Sequence, residues 1–386
     1  MDLKISSKSL SDFSPQSLSS KNARSISSDE NSPRIAISGL HRGENPQPGA
    51  SIIRSIRRRF PNACIIGLVY DAMESGIYVE DGPNEVHLMP YPAAGARAFF
   101  ERLNAIRARS PFDIFIPTLD SEIELLSFLH GEFSCIGLRV CLPEPMTLRR
   151  RAKQHLPELA AACDAQVPET RIANDVPGAL RAAWELGWPV VVKGPFYDAK
   201  MVNTEAELSG KATRLLSEWG APVILQRCVS GPEFNALGLG DGRGGLLGLC
   251  CIRKTLLSEK GKGQGGVTVE DRRLTELCER VVRELRWHGP FELELIRDDS
   301  KEAGGVYVLI EMNPRFPAWV DFPSMLGANF SAALVEMLSG KNAKPLSALM
   351  PGQFYVRHQI EVVGRMENFA ALFADAPNAN ATAFST

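Results

Sequence analysis

Between Pro33 and about Val140, short β-branched runs alternate with amphipathic helical stretches, and this alternation restricts the fold more than any other feature of the chain. Arg34–Ser38 and Cys64–Tyr70 read as strands, with the basic segment Ala50–Phe60 as a helix between them. Phe99–Ala108 reads as a second helix, followed by the strand Ile114–Pro117 and a helix from Ser121 to His130. Strand–helix alternation through short loops implies an open, mostly parallel sheet. In such sheets ligands bind beyond the carboxyl ends of the strands. Two segments fall there: Gly39–Gly49 (GLHRGENPQPG), which on its own reads as a Pro/Gly loop, and Thr118-Leu119-Asp120.

The pattern then changes. A helix is expected over Leu148–Ala162, then the strand-like Val167–Arg171, then a helix opened by Asp175 and Pro177 and stopped by Gly187. VVVKGPFYDAKMV, residues 190–202, reads as a hairpin with Lys193 closing its first strand and a turn at Tyr197-Asp198-Ala199. Thr204 with Glu207 caps a helix to Trp219. Strands at Val223–Arg227, Glu233–Leu239 and Leu246–Arg253, a glycine-rich loop Gly261–Gly266, the helix Asp271–Leu285 and strands at Phe291–Arg297 and Val306–Met312 complete an α+β region with antiparallel strands. Gln353–His358 reads as a last strand that can bring Arg357 or His358 towards a substrate.

Composition excludes several classes. A formal charge of −2 over 386 residues gives no basic surface for nucleic acid or anionic membrane. No apolar run approaches the roughly 18–20 residues that span a bilayer. The eight cysteines form no CxxC pair and no Cys/His metal spacing. That many free thiols point to a reducing cytoplasm. Residues 1–32 are serine-rich and expected to be disordered, without the apolar core of a signal peptide, and the chain beyond about Asp375 reads as a loose tail.

Two GxGxxG matches, Gly240–Gly245 and Gly261–Gly266, lack the strand-to-helix setting of a dinucleotide site; the first reads as a hairpin turn and the second as a mobile loop. There is no Walker A, GxSxG or HExxH pattern. The chemistry is carried instead by a distributed set. Ile310-Glu-Met-Asn-Pro-Arg315 ends a strand, and alternation puts Glu311, Asn313 and Arg315 on one side. Phe291-Glu-Leu-Glu-Leu295 carries two acids with period two. Glu294, Glu311 and Asn313 are hard oxygen ligands suited to magnesium, and Arg315 offers a fork of donors to a phosphoryl group.

With Lys193, the hinge Gln226-Arg-Cys-Val-Ser-Gly-Pro-Glu233 and Glu-Met-Asn-Pro-Arg in this order, the chain resembles the ATP-grasp superfamily, in particular the ATP-binding halves of carbamoyl-phosphate synthetase and related carboxylate–amine ligases. The resemblance covers about Arg149 to Gly340, preceded by a matching domain. It implies a pre-ATP-grasp α/β domain over 33–145, an ATP-grasp domain over 146–365 with a small lid subdomain at about 165–228, and a tail over 366–386. It implies that Lys153 (with Arg149–Arg151 as competitors), Lys193 and Lys200 meet phosphates. It also implies that Leu225, Gln226, Arg227 and Val229 form the adenine hinge, with glutamine where relatives usually have glutamate, and that Glu233 holds the ribose. Glu294, Glu311 and Asn313 would bind magnesium, with manganese as a substitute, and Arg315 and Lys254 would face the transferring phosphoryl.

The implied activity is ATP-dependent activation of a small carboxylate as an acyl phosphate and its coupling to an amine. The alternative is a non-catalytic nucleotide-binding or sensor protein of a biosynthetic complex. The length argues against a full carbamoyl-phosphate synthetase, and the short segment after Gly340 against a biotin carboxylase. Small-molecule carboxylate and amine substrates are the expected partners, with a homodimer common among such ligases. Two departures stand out: the shortened loop after Lys193, and Phe316–Phe322 in place of the usual Gly/Ser-rich segment. The latter is equally compatible with a substrate wall and with extra core.

Overall fold

A computed structural model describes residues 32–43, 45–194, 199–258, 263–301, 304–341 and 343–374. The expected disordered stretch 1–31, the residues Tyr197 and Asp198 of the hairpin turn, Gly261 and the tail from Asp375 lie outside the described residues. Among those described, the strands form three sheets.

The first sheet is parallel throughout, in the order β3-β2-β1-β4-β5. Its strands are β1 (Arg34–Ser38), β2 (Cys64–Val69), β3 (Glu85–Leu88), β4 (Ile114–Ile116) and β5 (Arg139–Val140). Helices α1 (Gly49–Arg59), α2 (Ala96–Arg109), α3 (Asp120–Leu126) and α4 (His130–Cys135) connect or flank them. β1 and β2 are buried almost throughout, as expected of strands covered on both faces. β3 and β5 are short edge strands that local pattern did not reveal. The strand order reverses direction at β1, so the loops leaving β1 and β4 part there and open a crevice. Gly39 makes that exit possible: its φ is +65°, and a Cβ would lie 2.0 Å from Thr118 Oγ1.

The expected helix Leu148–Ala162 is two helices, α5 (Pro145–Arg151) and α6 (Leu156–Ala162), joined by an extended Ala152 and a 3₁₀ turn at Lys153–His155. Pro157 is the cause, because a proline inside a helix clashes with the carbonyl four residues earlier, here that of Lys153.

The second sheet is small, ordered β6-β9-β7-β8: β6 (Thr170–Ala173), β7 (Val190–Lys193), β8 (Lys200–Val202) and β9 (Val223–Arg227). Helices α7 (Val176–Leu186) and α8 (Glu205–Trp219) cover one face. The caps are those read from sequence: Asp175 accepts from Gly178 N–H and Thr204 from Glu207 N–H. Val190, Val192, Val223 and Leu225 enter a separate apolar core with both helices. Alternation therefore sends Lys193 and Gln226 to the opposite face.

The third sheet is antiparallel, ordered β14-β13-β10-β11-β12-β15. It contains β10 (Glu233–Asp241), β11 (Leu246–Leu257), β12 (Gly263–Thr268), β13 (His288–Asp298), β14 (Val306–Asn313) and β15 (Phe354–Val356). Gly240–Gly245 makes the β10–β11 hairpin turn, as read. Residues 263–266, expected in a loop, are instead paired in β12 between β11 and β15. Glycine serves close approach there, since a Cβ on Gly265 would lie 3.0 Å from Tyr355 O. On one face Phe234, Phe291 and Leu293 pack with Leu274, Cys278 and Val281 of α9 (Arg272–Leu285). Each large side chain buried in this way contributes roughly 1.5–3 kcal/mol. On the other face Leu237, Leu239 and Cys250 meet Phe316, Val320 and Phe330, in one core continuous with Ile35 and Ile37 of the parallel sheet.

The chain closes with α10 (Asp321–Met325), α11 (Phe330–Leu338) and α12 (Met366–Ala374). Asp321 accepts from Arg54 Nε and Arg58 Nε, each at 3.0 Å, and Ser51 Oγ donates to Ala318 O at 2.7 Å. These bonds hold α1 of the parallel sheet against the antiparallel one. No helix among the described residues is long and apolar enough to cross a membrane.

Candidate functional site

A cavity of about 560 Å³ lies where the crevice of the parallel sheet meets the open part of the antiparallel sheet. His41, Gln47, Thr118 and Leu119 enter it from the loops after β1 and β4, the two segments that strand order marks. The opposite wall is Asn235, Lys254, Glu292, Glu294 and Arg315, with Trp319, Tyr355 and Arg357 at one end.

Strand register sets the acidic floor. Glu294 stands opposite Glu311 across β13–β14, Glu292 opposite Asn313, and Asn235 opposite Glu294 across β10–β13. Facing carboxylates repel each other, so the arrangement needs cations and donors. Lys153 Nζ donates to Glu311 Oε1 at 2.6 Å from the 3₁₀ turn that Pro157 creates. Lys254 Nζ donates to Glu233 Oε2 at 2.8 Å and to Glu294 Oε2 at 3.3 Å. Burial opposes its charge, but Glu294 and Glu233 outweigh burial and raise its pKa. Asn313 Nδ2 donates to Glu292 Oε2 and Glu294 Oε1, both at 3.2 Å, which turns its carbonyl oxygen away from the carboxylates.

Arg315 joins this floor to the parallel sheet: its Nε donates to Asp120 Oδ2 at 3.3 Å, and its Nη1 lies 3.6 Å from Glu292 Oε2. Burial works against the Asp120 anion, yet the charges of Arg315, Arg151 and Lys153 hold its carboxyl below the ordinary range. Asp120 keeps its place because Glu122, two residues on, accepts from Ser38 Oγ and from the backbone N–H of Thr118 and Leu119.

Lys193 reaches the cluster from the small sheet. It is 5% exposed and makes no ion pair among the described residues. Burial lowers its pKa to about 8, only partly offset by Glu311 and Glu294 and worsened by Lys153. The other candidates of that sheet sit apart. Lys200 is exposed and without a hydrogen bond or ion pair among the described residues. Leu225 belongs to the small core, and Gln226 is buried with Nε2 donating to Thr170 Oγ1 at 3.2 Å. Arg227 is exposed and pairs with Glu169, and Val229 is half-buried beyond the strand end.

The structure thus brings Lys153, Glu311, Glu294, Asn313, Lys254, Glu233 and Arg315 together. The sequence reading marks Asp120 at a strand end, Glu292 as one of two period-two acids and Trp319 within Phe316–Phe322 without giving any of them a site role, and it does not single out Asn235. In Phe316–Phe322, Phe316, Trp319, Val320 and Phe322 all belong to the core, and Trp319 also lines the cavity and donates from Nε1 to Glu292 Oε1 at 3.0 Å.

A scan of the sequence against family models and against curated proteins finds no match. The fold does match solved structures. The biotin carboxylase domain of 2-oxoglutarate carboxylase from Hydrogenobacter thermophilus, solved with MgADP, ADP and bicarbonate, is 17% identical with a TM-score of 0.62, over 83% of this chain and 73% of that one. The L-amino acid ligase of Bacillus licheniformis is 16% identical with a TM-score of 0.58, over 81% of this chain and 77% of that one. The N5-carboxyaminoimidazole synthetase of Staphylococcus aureus is 13% identical with a TM-score of 0.61, over 83% and 80%. At this level the likeness establishes the fold: an ATP-grasp fold preceded by an open parallel-sheet domain.

Proposed function

We propose that the protein is an ATP-dependent ligase that activates a small-molecule carboxylate as an acyl phosphate and couples it to an amine. The observation that carries this reading is the joining of Lys153–Glu311, Glu294–Asn313 and Arg315–Asp120 at the floor of one crevice, with Lys193 arriving from a separate sheet. In this reading the carboxylate oxygen attacks the γ-phosphorus, the bond to the bridging oxygen breaks, and ADP leaves. The amine nitrogen then attacks the acyl carbon, loses a proton and expels phosphate. No side-chain nucleophile is needed; positioning and charge neutralisation supply the rate.

In this reading Lys153 and Lys193 meet phosphates and Arg315 meets the transferred group, with Asp120 holding its guanidinium. Leu225, Gln226, Arg227 and Val229 form the hinge for adenine and Glu233 takes the ribose, with Lys254 and Lys200 as further phosphate contacts. Among the described residues no three His, Cys, Asp or Glu side chains form a metal cage. Two carboxylates and, once its amide turns over from its present bonds to Glu292 and Glu294, the oxygen of Asn313 would fit magnesium or manganese, which share phosphate oxygens rather than needing an all-protein shell. Glu294, Glu311 and Asn313 would hold the ion, which neutralises phosphate charge. Lys153 and Glu311 now satisfy each other, and each is the partner that one half of a metal–ATP complex engages. That the Hydrogenobacter domain, of the same fold, was solved with MgADP supports a nucleotide and magnesium as the cofactors.

The test is ADP release from ATP and magnesium with pools of carboxylic acids and amines. ADP that forms only with a particular carboxylate, and that Glu311→Ala lowers about 10³-fold, is the expected result. ATP binding without turnover in every mixture overturns the ligase reading in favour of a nucleotide sensor.

A further inference from the structure

The end of the cavity away from Lys153 contains polar groups that the phosphoryl chemistry leaves unused. Asn235 is 5% exposed. Its Nδ2 donates to Glu292 Oε1, while its Oδ1 has no hydrogen-bond partner among the described residues. The amide cannot be turned over to relieve this. Glu292 Oε1 also receives the indole N–H of Trp319, so that oxygen is an acceptor and must face the NH₂ end of Asn235. A buried acceptor without a donor costs about as much as a lost hydrogen bond unless something arrives to fill it.

Behind it stands Glu292, buried, beside the Trp319 and Tyr355 rings stacked at 6.4 Å. Across the same cavity Arg357 donates from Nη1 to Gly263 O at 3.2 Å, while its Nη2 is buried without a partner among the described residues. One end of this subsite therefore wants a donor, next to the Glu292 carboxyl group and aromatic faces, and the other wants an acceptor.

We propose that this end of the cavity binds an α-amino acid, with its ammonium on Asn235 Oδ1 in front of Glu292 and its carboxylate on the Nη2 side of Arg357. This names the substrate class within the ligase reading and rests on it. Burial pushes the Tyr355 hydroxyl up to about 12, so it stays neutral and the wall brings no second anion. Arg357 is likewise depressed by burial, as expected of a guanidinium short of counter-charge.

The experiment is calorimetric titration of the full chain, with magnesium and a non-hydrolysable ATP analogue. The probes are individual α-amino acids, the matching carboxylic acids without the amino group, and the N-trimethylated betaines. At least one amino acid binds, and its deamino and betaine forms bind about tenfold more weakly or worse. Asn235→Leu brings the amino-to-deamino ratio close to one, and Arg357→Met weakens both forms together. Equal affinity for an amino acid and its deamino acid or betaine overturns the proposal. That comparison uses the unaltered protein, so it stands even if Asn235→Leu does not fold; an unchanged ratio in a folded Asn235→Leu overturns it as well. Turnover separates the two readings. Selective amino-acid binding without ADP formation from ATP sinks the ligase and keeps the site, whereas ADP formation driven equally by deamino acids sinks the site and keeps the ligase.

Discussion

Lys193 and Lys254 approach the same carboxylate, Glu294, from different sheets, and burial treats them oppositely. Lys254 sits on the antiparallel sheet with Glu233 and Glu294 already in contact, and its pKa is raised. Lys193 sits at the end of β7 without an ion pair among the described residues, and burial, only partly offset by Glu311 and Glu294, lowers its pKa to about 8. The first ammonium is neutralised by the fold. The second is held at a cost that only an external anion can repay, which is what a ligand-binding lysine looks like before its ligand arrives. The body sheet shares two continuous cores with the parallel sheet, whereas the small sheet has a core of its own. The lysine without an ion pair is thus on the sheet that has a core of its own.

The largest test of this contrast is turnover. Lys193→Met is expected to lower kcat/KM for ATP by about 10²-fold or more, measured as ADP formation at saturating second substrate. A variant as active as the parent removes Lys193 from the phosphate site.

Stability is next, and here the order reverses. Lys254→Met removes the cation shared by Glu233 and Glu294, which are only partly exposed, and is expected to cost about 2–3 kcal/mol in urea unfolding. Lys193→Met removes an unpaired buried charge and should leave stability unchanged or raise it by about 1 kcal/mol. Equal losses in both would dissolve the distinction.

The pH dependence is smaller and more specific. The folded pKa of Lys193, about 8, lies below its ordinary 10.5. Between these values the unfolded chain holds roughly one proton more than the folded one, so this group makes stability rise with pH across that window. Below pH 8 both states are protonated and the penalty is constant. The slope should vanish in Lys193→Met and persist in Lys254→Met, as read by urea midpoints from pH 7 to 10.

The smallest effect is proton linkage. An arriving phosphate restores the Lys193 pKa, so ATP binding near pH 9 should take up a fraction of a proton. Calorimetry in buffers of different ionisation heat measures it, and an uptake unchanged in Lys193→Met refutes the assignment.

Much of the fold was legible, for reasons that differ along the chain. Asp175, Thr204 and Gly187 act within a few residues of themselves, so the caps of α7 and α8 could be read directly. Pro157 was equally local, and its effect on Leu148–Ala162 was overlooked rather than hidden. Gly263–Gly266 was truly ambiguous: glycine reads as loop until β15, some ninety positions away, supplies its partner. Of the candidate site, Glu294, Glu311, Asn313 and Arg315 are legible as charged and polar residues on strand faces, and Glu292 as the second acid of β13. Asn235 is not, nor is its bond to Glu292, because nothing local says which group an acid of β13 meets.

By itself, then, the sequence determined most of the elements, the capped ends of α7 and α8, and which side chains share a face, because helix and strand periods and caps are set by neighbours. Only the tertiary structure decided which charges meet. Lys153 and Glu311 are 158 positions apart, and Arg315 and Asp120 are 195 apart. Their contact depends on the strand order that opens the crevice at β1 and on the register that sets Glu294 against Glu311. Register and strand order arise from burying whole apolar faces together. No local pattern carries that sum, and it is what turned one lysine into a satisfied pair and left the other waiting.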